Sequence, residues 1–119
     1  MALYYDLPVF KDVYKLTVEL FRLTSKFSRE YKFTLEQDMK KDCILLVRSI
    51  YRANKVKDKA IYLEQFLDDF EVVKLEIRLC TELKLITIKN QAALSALMDS
   101  IGRQITGWRN AQEKAPRHD

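Results

Sequence analysis

Apolar side chains return at steps of three and four residues along four separate stretches of this chain, and that spacing constrains the fold more than any other feature. In the first stretch Phe10, Val13, Tyr14, Thr17, Leu20, Phe21, Thr24 and Phe27 form a continuous stripe. A second seam, Val9, Leu16 and Leu23, repeats every seven residues, so this helix is apolar on more than one face. The second helix places Met39, Cys43, Leu46, Ile50 and Ala53 inward. The third, running to about Leu83, turns in Ala60, Leu63, Phe66, Leu67, Phe70, Val73, Ile77 and Cys80. The fourth carries Leu94, Leu97, Met98, Ile101, Ile105 and Trp108. No strand alternation interrupts them, and the expected fold is all-α, an antiparallel up-down four-helix bundle.

The boundaries follow from capping chemistry. Asp6 is a candidate cap for the first helix, with Pro8 in its first turn, where a missing N–H costs nothing. Residues 28–33 read as a polar connection, after which Thr34 and Gln37 have the spacing of a capping box. Asp58 is placed to cap the third helix and Thr87 the fourth. The 119 residues make one domain, 1–119, with a loose polar tail expected from about residue 112 and containing Pro116.

Hydrophobic residues make up 48% of the chain, an ordinary globular composition. No apolar run is long enough for a membrane span and no leader pattern opens the chain, so a cytoplasmic location and no membrane contact are expected. Cys43 and Cys80 have no cysteine or histidine at ligand spacing and read as small buried hydrophobes.

Catalytic chemistry finds little support. No glycine precedes the fourth helix to form a phosphate-cradling loop. The single histidine, His118, lies in the tail, and Ser49 and Ser100 have no base at a recognisable spacing. Without a helical histidine the Glu-x-x-His bundle signature is absent, and Glu64, Asp68 and Glu71 read as a solvated acidic face. A non-enzyme with no metal or cofactor is expected.

Charge carries more information. The net charge is +4, but it is segmented by sign. Residues 40–59 hold seven basic groups and two acidic ones, whereas 60–83 hold two basic and six acidic. On the second helix Lys41, Arg48, Arg52 and Lys55 fall within roughly 60° of one another at about 100° per residue. They lie opposite the inward set, and Lys57 and Lys59 extend the charge beyond. Such a row is either an ordinary solvated face or a track for phosphates without base-specific contact. Ile44 and Leu45 flank it on the wet side, where contact with another subunit would bury them. Lys74 and Arg78 stand one turn apart on the acidic third helix, either paired within it or free for a partner. Tyr14, Phe21, Phe66 and Phe70 are expected in the core. No surface cluster interleaves aromatics with arginine, so any nucleic-acid contact should be electrostatic and weakly sequence-selective.

Gly102, Gly107 and Trp108, the only two glycines and the only tryptophan, sit inside the last helix. A glycine there costs about 1 kcal/mol relative to alanine, which points to something packing close to the helix backbone.

Several runs carry a family resemblance: Lys74-Leu75-Glu76-Ile77-Arg78-Leu79, the turn Leu83-Lys84-Leu85-Ile86-Thr87, Ile101-Gly102-Arg103 and Thr106-Gly107-Trp108, with Phe33-Thr34-Leu35 opening the second helix. From Phe27 to Arg109 the chain resembles the accessory variability determinant (Avd) proteins of diversity-generating retroelements. The resemblance implies a bacterial four-helix bundle that assembles as a homopentamer. It also implies RNA or DNA binding through a basic surface and association with the element's reverse transcriptase, in support of mutagenic retrohoming. It further implies that Lys74 and Arg78 serve partner or template binding. Gly102 and Gly107 would let the last helix approach a neighbour, with Trp108 as anchor. The alternative family is the four-helix bundles encoded in ribosomal RNA intervening sequences, which would make the chain a structural or RNA-associated oligomer. Those usually end the second helix with Ser-x-x-Asn-Ile-Ala-Glu-Gly, and this chain reads Ser49-Ile50-Tyr51-Arg52-Ala53-Asn54-Lys55.

Overall fold

In the computed structural model, which describes residues 3–114, the chain forms four long helices and, among those residues, no strand. A 3-10 turn Tyr4–Asp6 leads into α1 (Pro8–Thr24). Helix α2 is built from Arg29–Tyr31, a π turn Lys32–Glu36 and Gln37–Lys55; α3 is Ala60–Glu82 and α4 is Ile88–Lys114. Helices α1 and α3 each pack on both α2 and α4, which closes a four-cornered bundle.

Cross-helix contacts give the direction of every neighbour. Tyr4 meets Tyr51 and Phe21 meets Lys40, so α1 and α2 run antiparallel. The Cys80 thiol donates to Met39 Sδ at 3.5 Å, Arg109 Nη1 donates to Glu64 Oε1 at 2.9 Å, and Asp12 accepts from Ser100 and Gln104. Each pair links the start of one helix to the end of the next, the up-down order expected from short connections.

The core matches the inward faces of α2, α3 and α4 closely. Met39, Cys43, Leu46, Ile50 and Ala53 are all buried, as are Leu63, Phe66, Phe70, Val73, Ile77, Cys80, Leu94, Met98, Ile101 and Ile105. Ala60, Leu67, Leu97 and Trp108 are half-buried. On α1 the two apolar seams resolve differently. Val9, Val13, Leu16, Leu20 and Thr24 face inward, as does Phe27 just beyond the helix, while Tyr14 and Phe21 are exposed rather than core. A helix beside two neighbours can bury one broad stripe, and the aromatic edge of this one falls outside it. Thr24 tolerates complete burial because its hydroxyl donates to Leu20 O at 2.6 Å.

Capping departs from expectation at three of four sites. Leu7, not Asp6, precedes α1, because Asp6 and Leu7 spend their N–H groups on the preceding turn and Pro8 has none to cap. Residues 29–31 are already helical, so the Thr34–Gln37 box does not form. Thr34 lies within the π turn, and its hydroxyl points back to Tyr31 O at 3.5 Å. Asp58 does not cap α3. Its neighbour Lys59 precedes the helix and donates Nζ to Ala53 O and Val56 O, at 2.7 and 2.6 Å, closing the end of α2 instead.

Thr87 does cap α4, accepting from the Asn90 N–H at 3.0 Å. The turn before it is a Schellman motif: Leu85 N–H bonds Cys80 O, Lys84 N–H bonds Thr81 O, and Lys84 takes the left-handed conformation at φ 62°. Helix α4 continues through Gln112 and Glu113 to Lys114, past the expected start of the loose tail. Pro116 and His118 lie outside the described residues.

Candidate nucleic-acid interface

Helix α2 carries Lys41, Arg48, Arg52 and Lys55 on the side away from its buried row. Lys41, Arg48 and Lys55 are exposed and Arg52 is half-buried. Among the described residues none of the four forms an ion pair within 4 Å. Lys55 lies over the Tyr51 ring at 4.7 Å. Lys59 does not extend the row. Its ammonium is turned onto the α2 carbonyls and lies 5.9 Å from the Trp108 ring, where desolvation lowers its pKa.

The basic row is bordered toward α3 by carboxylates. Glu76 of α3 is 8% exposed and faces Asp42 and Asp38. Burial, the hydrogen bond with Asp42 and the charges of both aspartates push its pKa up to about 8. Burial raises Asp69 as well, helped by Asp42 and Asp68 and opposed by Arg48. The same seam holds Cys43, whose thiol is pushed up to about 12 by burial and then by Glu76. Cys43 and Cys80 are free and buried, as the sequence suggests.

Lys74 and Arg78 are paired along their own helix, Lys74 with Glu71 and Arg78 with Glu82 at 3.7 Å. Exposed pairs of this kind contribute roughly 0–1 kcal/mol, so a stronger anion can replace the partner at little cost. Ile44 is 53% exposed and Leu45 half-buried, which leaves the expected apolar flank of the row open.

The two glycines differ from each other. A Cβ on Gly102 would stand 3.6 Å from the Phe70 ring, an ordinary contact, while one on Gly107 would meet nothing within 4 Å. Neither glycine is required by packing inside this chain. Trp108 is half-buried against the chain's own core.

Two surface features escaped the sequence reading. On α3, Val72, Leu75 and Leu79, followed by Leu83 just past its end, are exposed and recur at three and four residues, an outward apolar row beside Lys74 and Arg78. The spacing was visible in the sequence, but the inward row of α3 already satisfied the expected pattern.

The second feature lies between α1 and α2. Tyr4 packs edge-on against Tyr5, Phe10 and Tyr51 at 5.2–5.4 Å, and Phe10 approaches Tyr14 at 6.0 Å. Tyr5, Tyr14, Phe21 and Tyr51 are all exposed. This places an aromatic cluster beside the basic row, with Tyr14 and Phe21 outside the core and lysines over its rings, Lys40 on Phe21 and Lys55 on Tyr51.

A groove of about 400 Å³ between α1 and α4 is lined by Asp12, Glu19, Ala93, Leu97 and Ser100, among others. Its carboxylates are engaged: Asp12 Oδ2 accepts from Ser100 Oγ and Gln104 Nε2 at 3.0 and 2.7 Å, and Glu19 pairs with Arg22. Among the described residues no group of three or more His, Cys, Asp or Glu side chains is arranged to hold a metal, and no helix is long and apolar enough to cross a membrane.

A family model described as bAvd-like matches residues 9–112, which spans all four helices and the basic row. No curated protein matches the chain.

Proposed function

We propose that this chain, which belongs to the bAvd-like family, is a non-catalytic accessory protein of a bacterial diversity-generating retroelement. It binds nucleic acid through the basic face of α2 and associates with the element's reverse transcriptase, supporting mutagenic retrohoming in the cytoplasm. The observation that carries this reading is the row Lys41, Arg48, Arg52 and Lys55, four cations on one helix face and none in an ion pair among the described residues. A solvated face of a bundle normally mixes signs along its helices. Here Asp38 and Asp42 of α2 face Glu76 of α3, and the outer face carries Lys41, Arg48, Arg52 and Lys55.

The chain works as a homo-oligomer, with five copies giving about 70 kDa from protomers of 14.1 kDa. Exposed Ile44, the Val72–Leu83 row and the open backbone at Gly107 support contacts between copies or with the polymerase. Lys74 and Arg78 contribute to partner or template binding by exchanging Glu71 and Glu82 for a partner's anions.

The test is binding of purified protein to a structured RNA and a matched DNA duplex across a salt series. Four engaged cations per protomer predict a log–log slope of about −3 to −4. Flat or absent binding would leave a protein scaffold and remove nucleic acid from the account. Light scattering on the same sample checks the assembly, and a mass near 14.1 kDa would overturn it.

A further inference from the structure

We propose that the aromatic face shared by α1 and α2 is a stacking platform for unpaired nucleotides, so that the protein prefers single-stranded nucleic acid to a duplex. The proposal deepens the nucleic-acid reading above and rests on it.

The face is built from two ridges. On α2, Ile44, Arg48, Tyr51 and Lys55 follow one another at steps of four, three and four, so apolar and cationic side chains alternate along one line. On α1, Phe10, Tyr14 and Phe21 line the edge turned toward α2, where Phe21 lies under Lys40 Nζ at 5.0 Å. Tyr4 joins the ridges by packing on Phe10 and Tyr51. Tyr14 is 55% exposed and Tyr51 44%, so ring surface remains open to an incoming base.

Charge separates this face from the others. Four carboxylates of the two helices are committed elsewhere: Asp12 to Ser100 and Gln104 of α4, Glu19 to Arg22, and Asp38 and Asp42 to the seam with Glu76 of α3. Glu36 is buried and holds Lys40 at 2.7 Å. Asp6 lies in the leading turn and Glu30 in the first turn of α2. What remains is aromatic rings interleaved with Arg48 and Lys55 along one line, with Lys40 over Phe21.

That combination suits a polynucleotide in both its chemistries, with cations following phosphates and rings accepting base faces. A duplex can use only the cations, because its bases are already stacked. A protein partner would be expected to bring carboxylates to the same cations, and it could bury the rings without regard to their π-faces.

The test compares oligo(U), oligo(dT) and a blunt duplex of matched length by fluorescence anisotropy at fixed salt. The proteins are the full chain, Tyr14→Leu/Tyr51→Leu and Tyr14→Phe/Tyr51→Phe. Leucine keeps apolar bulk and loses the ring, while phenylalanine keeps the ring. The expected result is tighter binding of single strands by the full chain. The leucine variant should lose about tenfold in single-strand affinity, with duplex affinity and salt slope unchanged, and the phenylalanine variant should retain it. Tyr14→Leu alone, at the most exposed ring, gives the same direction should the double variant melt early.

Salt-steep binding that ignores the leucine substitutions would overturn the platform and leave the nucleic-acid reading intact. No binding of any probe by the full chain would remove both. A fall in assembled mass on leucine substitution, with strand affinity unchanged, would reassign the rings to contact between copies and overturn the platform.

Discussion

Lys55 Nζ lies 4.7 Å from the centre of the Tyr51 ring, one turn earlier on α2. The last cation of the basic row and the exposed aromatic cluster are therefore parts of one surface. Arg48 and Arg52 flank the same ring in sequence. These two arginines can be reversed without touching the core, since Arg48 is exposed and Arg52 half-buried. Arg48→Glu plus Arg52→Glu is expected to weaken nucleic-acid binding and to lower the magnitude of the log–log salt slope by about 2, near one per lost phosphate contact. Unchanged affinity and slope in the charge-reversed protein would remove the row from the function.

Gly107 and Gly102 separate packing inside the chain from packing between copies. Alanine at either position improves helix propensity by about 1 kcal/mol. Gly102→Ala meets only the Phe70 ring at ordinary distance, so the assembled mass should stay constant. Gly107→Ala has open space within the chain. If a neighbouring copy occupies that space, light scattering will show a lower assembled mass for this variant than for Gly102→Ala. Equal masses for both variants would place the contact between copies elsewhere.

Glu76 makes stability depend on pH with a definite sign. Its folded pKa of about 8 lies above the ordinary 4.5, so the folded chain binds the proton more tightly than the unfolded one. The contribution is fully present below about pH 4.5 and is lost as pH rises through about 8. Glu76→Gln should flatten the melting temperature between pH 5 and pH 8.5 and melt a few degrees above the natural chain at the upper end. The same pH profile in both proteins would show that Glu76 does not titrate in this range.

The α3–α4 turn offers two opposite stability changes within four residues. Thr87→Ala deletes the side-chain oxygen that accepts from Asn90 N–H and should cost about 1 kcal/mol. Lys84→Gly relieves a left-handed lysine at φ 62° and should stabilise by about 0.5–1 kcal/mol, after the greater freedom of glycine in the unfolded chain is counted. Thermal or urea melts distinguish the two. A stabilising Thr87→Ala would contradict the cap.

Periodicity by itself determined the four helices, the inward rows of α2, α3 and α4, and the cap at Thr87, because helix spacing and capping are local properties. The charge row of α2 was equally legible, since residues seven, four and three apart share a face in any helix. Three things required the tertiary structure. Tyr14 and Phe21 follow a spacing that suits burial as well as Val13 and Leu20 do, and only the positions of α2 and α4 around α1 decide which stripe is covered. The Thr34–Gln37 box and the Asp58 cap were lost to competitors that sequence spacing does not reveal: a helix that starts earlier, and a lysine that reaches back to α2. The meeting of Tyr4, Phe10 and Tyr51 joins residues distant in the chain, and it turns two ordinary helix edges into one aromatic and basic face.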